Sequence, residues 1–389
     1  MSYAKTPSNR IVYLDMFRFL MVAGALLSHV LGYFYTWDAL AEQPQLYLRL
    51  FTRGAAPGLL VLFGFMLEFV YVRYAQRRGL GYSVKRMCYR ALLCYLASAL
   101  IAAAGMLGGH TSVRDLISNL ILVSASLNAN IFLTYFYVLF AIIPVIALRL
   151  RFGIGSLLVV IAGIWLVDVA ALQPVESSFS GTTGIGNFLG KFFLGLGGSW
   201  GPSIFHGLTA VLFGMVLGNF FATRSRAATL SLVGLVGTAL VILGAEIYAV
   251  GWNGFLAGIA DYEVYRGHNS VVYYAYGAVH AMMMILLARG ISGFFPQVVQ
   301  KPATYLGSRT FLFFLFGNMI LSAVPRGYVN TNVWLSVGGF VVLVTICYAV
   351  ILLWEAKFDG WQPVVTVRKQ MLNVSEAITN VLRRFSPAH

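Results

Sequence analysis

Long apolar stretches of about 18 to 25 residues, separated by short basic loops, follow one another along most of the chain. They fall at 11–35, 56–74, 87–107, 131–149, 154–172, 203–221, 228–250, 270–288, 303–323 and 333–354. Each is long enough to cross a bilayer as a helix. Two further runs, Leu116 to Leu127 and Ile185 to Leu196, are too short to cross and read as interfacial or re-entrant pieces. The pattern predicts an all-α fold, a polytopic membrane helical bundle of about ten transmembrane helices forming one integral domain over 1–356. Residues 357–389 make a tail in which Met371, Val374, Ile378, Val381, Leu382 and Phe385 recur at helical spacing. Arg368, Lys369, Arg383 and Arg384 flank them, so the tail reads as a cytoplasmic amphipathic helix on an anionic inner leaflet.

Composition sharpens this. With 59% hydrophobic and 10% charged residues, the chain is excluded from the ordinary soluble class. A net charge of +14 could suggest nucleic acid, but the cations lie in short loops between apolar runs, so no nucleic-acid partner is expected. If the N-terminus is cytoplasmic, 20 of the 27 Lys and Arg fall on that side, six on the other, and Arg18 within the first helix. Both termini therefore read as cytoplasmic, and the chain as a multi-pass protein of the inner (plasma) membrane in contact with its lipid. The first segment is too long for a removable signal peptide and reads as a signal anchor. Cys88, Cys94 and Cys347 sit in or beside apolar runs with no metal-ligand spacing; they read as inert buried thiols, and no metal site is expected. The spacing Gly184-x-Gly186-x-x-x-Gly190 lacks a preceding strand and is no dinucleotide site. Asn373 heads a glycosylation sequon in form, on the wrong side of the membrane.

Candidate chemistry is densest in the first helix, which carries Asp15, Arg18 and His29. Ionisable groups inside a spanning segment cost several kcal/mol and usually mark function. Arg18 and His29 are 11 residues apart, which at 100° per residue returns to within about 20° of one face, with Asp15 about 40° from His29. The rise between Arg18 and His29 is roughly 16 Å. One face thus offers a cation near one surface and a titratable base deep in the bilayer. The plainer reading has Arg18 snorkelling to the headgroups beside Asp15, and His29 bonded to a neighbouring helix. The loop after the second span carries Arg73, Arg77, Arg78, Lys85, Arg86 and Arg90, a topology signal that would also suit a phosphorylated carrier. Glu68, Glu246, His280 and Asn318 are the other polar groups within spans; Glu68 is expected to pair with a loop arginine one turn away, and His280 to pack. His206, Tyr262, Arg266 and His268 lie near the outer face, where an acceptor would arrive.

Arg18 and His29 with ten residues between, and Leu14-Asp15 ahead of them, resemble the first-helix motif of the acyltransferase-3 superfamily of membrane acyltransferases. The run Gly54 to Leu67 is similar to its second-helix motif, written Phe-Phe-x-x-Ser-Gly, with Leu59 and Leu60 for the two Phe and Phe63 for the Ser. The Ala55-Ala56 entry to that helix and the stretch Asn130 to Pro144 look more like the OpgC-type branch, named for glucan succinyl transfer. In many relatives a late-helix motif ends in His; here Gly317 takes that place with Asn318 beside it. Lys85-Arg86-x-x-x-Arg90 is similar to an Arg-rich motif entering the third helix, one residue off its common spacing. The resemblance implies an O-acyltransferase that moves an acetyl or succinyl group from cytoplasmic acyl-CoA to a periplasmic or cell-surface glycan or glycolipid hydroxyl. His29 would be the general base, with Arg18 and Asp15 beside it in the catalytic set. Arg73, Lys85, Arg86 and Arg90 would hold acyl-CoA, which is a donor substrate and not a bound cofactor; His206, Arg266 and His268 would face the acceptor. The alternative from the residues alone is a polytopic transporter or flippase for a glycan or lipid-linked substrate.

Overall fold

The computed structural model describes residues 11–34, 36–39, 42–123, 130–175, 185–197, 202–325, 332–358 and 360–385. Among these, nine helices are long and apolar enough to cross a membrane, and a tenth crossing is made if one bent pair counts as a single span. The architecture is the all-α bundle that the apolar runs predict.

The first helix, α1, runs Val12–Tyr33. After it come α2 (Glu42–Arg53) and α3 (Ala55–Met66), which continues through a π-helical turn into α4 (Arg73–Arg78), so that Pro44–Arg78 is one long span. Next are α5 (Leu80–Leu107), the short α6 (Val113–Leu120), α7 (Asn130–Phe152) and α8 (Gly155–Val167). The short α9 (Ile185–Leu189) precedes α10 (Ile204–Thr223), the long α11 (Arg226–Ala260) and α12 (Val271–Phe294). The chain closes with α13 (Gln297–Ser308), α14 (Thr310–Ala323), α15 (Val333–Leu353) and α16 (Gln362–Phe385). Among the described residues neither short apolar run forms a helix long and apolar enough to cross, and residues 124–127 of the first lie outside them.

At the centre α3 and α10 lie against each other, and α10 is buried on nearly all sides while α8, α11 and α15 face largely outward. Without a hydrophobic force between helices in lipid, such a pair needs close backbones, and glycines supply them. A side chain at Gly64 would overlap the Val211 carbonyl, and one at Gly214 the Val61 carbonyl. A buried polar network pins the same pair near the C-terminal ends of both helices. Glu68 accepts from Arg149 Nη2 at 2.7 Å and from Asn219 Nδ2 at 2.8 Å. The expected pairing of Glu68 with an arginine one turn away is therefore corrected: its partner comes from α7, because packing and not sequence proximity brings the two buried groups together.

The sequence reading of 303–323 as one span is also corrected. The chain turns by 91° between α13 and α14. Arg309 stands at the bend, where Nε and Nη2 donate to Glu355 Oε1 and Oε2 at 2.8 and 3.0 Å, and the Tyr305 hydroxyl donates to the same carboxylate at 2.8 Å. A bidentate pair of this kind is specific enough to hold a bend that no proline dictates. α13 thus lies across the foot of α1, where Gly307 meets the Asp15 carbonyl. The tail helix α16 packs along α5, with Ser375 and Thr379 buried against it and Lys85 paired to Glu376 at 2.6 Å. Of the apolar face expected for it, Val374 and Val381 are exposed, with Val367 in line with them, while Met371 and Ile378 are half-buried. Arg18 and Met66 touch, and Tyr13 packs 6.3 Å from Phe221, so the foot of α1, the ends of α3 and α10, and α16 share one side of the bundle.

Candidate functional site

Two helices build the centre of the site. Gly317 on α14 faces Leu26 on α1, and a Cβ there would come within 2.7 Å of the Leu26 side chain. That close approach lets the next residue, Asn318, reach across. His29 Nδ1 and Asn318 Oδ1 are 2.8 Å apart, while Asn318 Nδ2 donates to the Phe314 carbonyl at 2.8 Å. The second bond fixes the amide, so its oxygen faces the ring and Nδ1 must be the donor. The tautomer follows from the network: Nε2 carries the lone pair and has no hydrogen-bond partner among the described residues. Asn318 is itself fully buried, at 0% exposure.

His29 opens onto a cavity of about 110 Å³, enclosed by Ala25, Ser28, Thr52, Arg53, Ala55, Ala56, Leu59, Asn130, Ile131, Thr134, Pro202, Arg266 and Phe314. These residues come from the C-terminal half of α1, the end of α2, the starts of α3 and α7, the turn before α10, the π-helical turn before α12 and the first half of α14, so the cavity lies toward the C-terminal end of α1, away from Arg18. Below it Phe63 stacks on Tyr135, with ring centroids 4.7 Å apart, and the Tyr135 hydroxyl donates to the Leu59 carbonyl at 2.9 Å. Phe63 thus buttresses, through Tyr135, the wall to which Leu59 belongs.

Arg18 lies on the same stripe of α1, toward the other surface. It donates to Asp15 Oδ1 at 3.1 Å and contacts Met66. It does not line the cavity of His29. Between them along α1 stand Met21 and Val22, 1% and 0% exposed. The expected donor residues gather around α4 and the start of α5: Arg73 lies over Phe69, Arg86 over Tyr74 and Tyr82, Lys85 is paired with Glu376, and Arg90 is exposed.

The three expected acceptor residues divide. Arg266 joins His29. His206 and His268 line a second, larger cavity of about 450 Å³ with Trp165, Asp168, Gln173 and Asn269. There His206 Nε2 meets Asp168 Oδ1 at 2.8 Å and its Nδ1 meets Ser203 Oγ at 2.8 Å, a chain that looks like a nucleophile triad. Ser203 is buried behind the ring at 1% exposure and caps α10 by accepting from the His206 N–H at 3.2 Å, so its role is to seat the imidazole. Gln173 donates to the other Asp168 oxygen at 2.9 Å. The Ser203 N–H donates to Asn269 Oδ1 at 2.8 Å, and this clasp forms the wall between the two cavities.

Arg53 is the residue that sequence reading missed; its signal was a cation on the outer side, against the prevailing bias, directly before an apolar run. Among the described residues no group of three His, Cys, Asp or Glu is placed to hold a metal ion. Set against known protein families, curated proteins and solved structures, the chain has no match, so the site rests on its own geometry.

Proposed function

We propose that this membrane protein is an acyl-CoA-dependent O-acyltransferase that moves a small acyl group, acetyl or succinyl, to a glycan hydroxyl outside the inner membrane. The observation that carries the reading is the oriented imidazole: His29 lines the cavity and is held through Nδ1 by Asn318, which leaves Nε2 without a hydrogen-bond partner among the described residues. That is the arrangement general-base catalysis needs, a lone pair fixed in one direction at a place shielded from bulk water.

The acceptor hydroxyl gives its proton to Nε2 as its oxygen attacks the thioester carbonyl carbon. The C–S bond then breaks, and the departing thiolate takes the proton back from the imidazolium. The donor enters from the cytoplasmic side, where Arg73, Lys85, Arg86 and Arg90 supply charge for its phosphates and Arg18, balanced by Asp15, meets the arm that follows. The acceptor enters from the outer side, where Trp165, Asp168, Gln173, His206 and His268 offer the aromatic face and hydrogen-bonding groups that sugars use. The resemblance supplies the names of donor and acceptor; the residues supply the base and the two opposed approaches.

Transfer of label from acyl-CoA to a glycan acceptor by the purified protein tests the reading. His29→Gln should abolish transfer while the protein elutes and melts as the wild type does. A wild-type protein that turns over no acyl-CoA while moving a glycan or lipid-linked substrate across vesicles would establish transport instead. The bent pair at Arg309 is the feature that favours that alternative, since transporters break helices at their substrate sites.

A further inference from the structure

Two guanidinium groups share the cavity of His29. Arg53, at the end of α2, and Arg266, in the loop before α12, both line it. Neither makes an ion pair or hydrogen bond with any described residue, and the Nε of each is buried without a partner. What holds them is one ring: Tyr262 lies 5.8 Å from the Arg53 guanidinium carbon and 4.5 Å from that of Arg266. The carboxylates nearest to Arg266 in sequence, Asp261 and Glu263, are exposed and pair with neither arginine. Two like charges brought together inside a protein, each stripped of part of its water and given no counter-charge, are costly unless something negative is brought to them. Surface cations show no such pattern; they pair, stack in water or extend into it. Here the unused N–H groups lie next to a space of about 110 Å³, well below the ~300 Å³ at which pockets for drug-sized ligands begin. The Ser28 hydroxyl and the Asn130 amide, whose oxygen is likewise buried without a partner, add neutral polar groups to the same wall.

We propose that Arg53 and Arg266 form an anion-binding subsite beside His29, built to take a carboxylate or phosphate carried by one of the two substrates. Paired guanidinium groups suit either anion, because each presents a planar fork of donors that matches two oxygens at once. The charge can come from the acyl group itself, as the free carboxylate of a dicarboxylic acyl donor, or from an anionic group on the acceptor. In this role the pair fixes which substrate reaches the base; neither arginine needs to take part in proton transfer.

The subsite is tested first without catalysis. The thermal midpoint of the full-length protein in lipid nanodiscs is measured with succinate, with inorganic phosphate, and with succinamide as an uncharged match. Saturating succinate or phosphate should raise the midpoint by about 2–5 °C, and succinamide should leave it unchanged. The rise should vanish in Arg53→Gln and Arg266→Gln and persist in His29→Gln. A rise with succinamide equal to that with succinate, or no rise with either anion, overturns the subsite; both readouts use the wild type, so they stand even if an arginine variant fails to fold. A rise that survives in both arginine variants overturns it as well.

The second arm rests on the acyl-transfer reading. If the charge belongs to the acyl group, Arg53→Gln and Arg266→Gln should lower transfer from succinyl-CoA relative to acetyl-CoA by about 10–100-fold. If it belongs to the acceptor, the donor ratio should stay fixed and the KM for an anionic acceptor should rise by a similar factor over that for a neutral one. A wild-type protein that turns over donors while neither ratio moves in the variants counts against the subsite. Anion-dependent stabilisation with no turnover of any donor leaves the subsite standing and removes the acyltransferase reading.

Discussion

Asn318→Ala is the sharpest probe of the catalytic reading, because it leaves His29 in place and removes only what orients it. The substitution deletes the acceptor 2.8 Å from Nδ1 and the amide's anchor on the Phe314 carbonyl. A typical hydrogen bond contributes about 1 kcal/mol net, so the fixed tautomer loses roughly a factor of five in population. The ring, no longer held in direction, loses further alignment with the acceptor hydroxyl, and small misplacements in such steps are expensive. Together these predict a fall in kcat of about 10–100-fold, against about 10²–10⁴-fold for His29→Ala, where the base itself is gone. Asn318→Asp keeps an oxygen facing Nδ1 and should retain transfer within about tenfold of the wild type. Stopped release of free thiol from acyl-CoA, with the protein in nanodiscs and a saturating acceptor, measures all three. Wild-type kcat in Asn318→Ala, with a crystal or cryo-electron microscopy structure showing the ring still facing the cavity, would refute the argument that this contact prepares the base.

Other outcomes follow from the frame of the bundle. Glu68→Ala strips the counter-charge from Arg149, a pair in which both side chains are largely buried, and should cost about 3–5 kcal/mol in thermal unfolding. Replacing both by apolar residues of similar size should recover most of that loss. Gly214→Val forces a side chain into the Val61 carbonyl and should lower stability by about 1–3 kcal/mol or prevent assembly, read as a lost monodisperse peak. At α6, the Ser112 hydroxyl and backbone N–H hold the Asp115 carboxyl below the usual carboxylate range. The sign is that of a depressed acid: the cap's contribution is complete at neutral pH and disappears as pH falls through the lowered value. Amide exchange of α6 should therefore quicken selectively in strong acid, and unchanged protection there would contradict the assignment.

The sequence carried the elements whose cause is local. Apolar length set the spans, and the predicted end at residue 250 falls where Gly251, with φ of +75°, breaks α11. The stripe of Arg18 and His29 also followed from helical arithmetic. What stayed hidden was every feature that needs two distant elements to meet. Nothing near residue 309 announces a bend, because Glu355, 46 residues later, makes it. Asn318 read only as one more polar group within a span, and only the approach of α14 at Gly317 made it the partner of His29. Arg53 and Arg266 stood 213 positions apart in the chain and met over Tyr262. Glu68 likewise looked to its neighbours in sequence and found α7.

The stripe on α1 raises a last question, since Arg18 and His29 do not share one open passage. Along the roughly 16 Å of α1 between them stand Met21 and Val22, both buried, and the Met21 methyl group packs on Gly58 of α3. A donor coming from Arg18 must move that side chain aside. Methionine suits a removable plug, being unbranched, with three rotatable bonds and little preference among them. Val22 is stiff at χ1 and stays as wall. Met21→Ile keeps volume and should hold the fold within about 1.5 kcal/mol, but a β-branched side chain cannot swing clear, so kcat should fall with acceptor KM unchanged. Met21→Ala should open the passage, keep or raise kcat, and pay for the vacated space with about 2–5 kcal/mol of stability. Transfer assayed beside thermal unfolding separates the two effects. If Met21→Ile transfers at the wild-type rate, the donor does not travel the stripe, and Arg18 belongs to the bundle's cytoplasmic rim and not to its catalytic path.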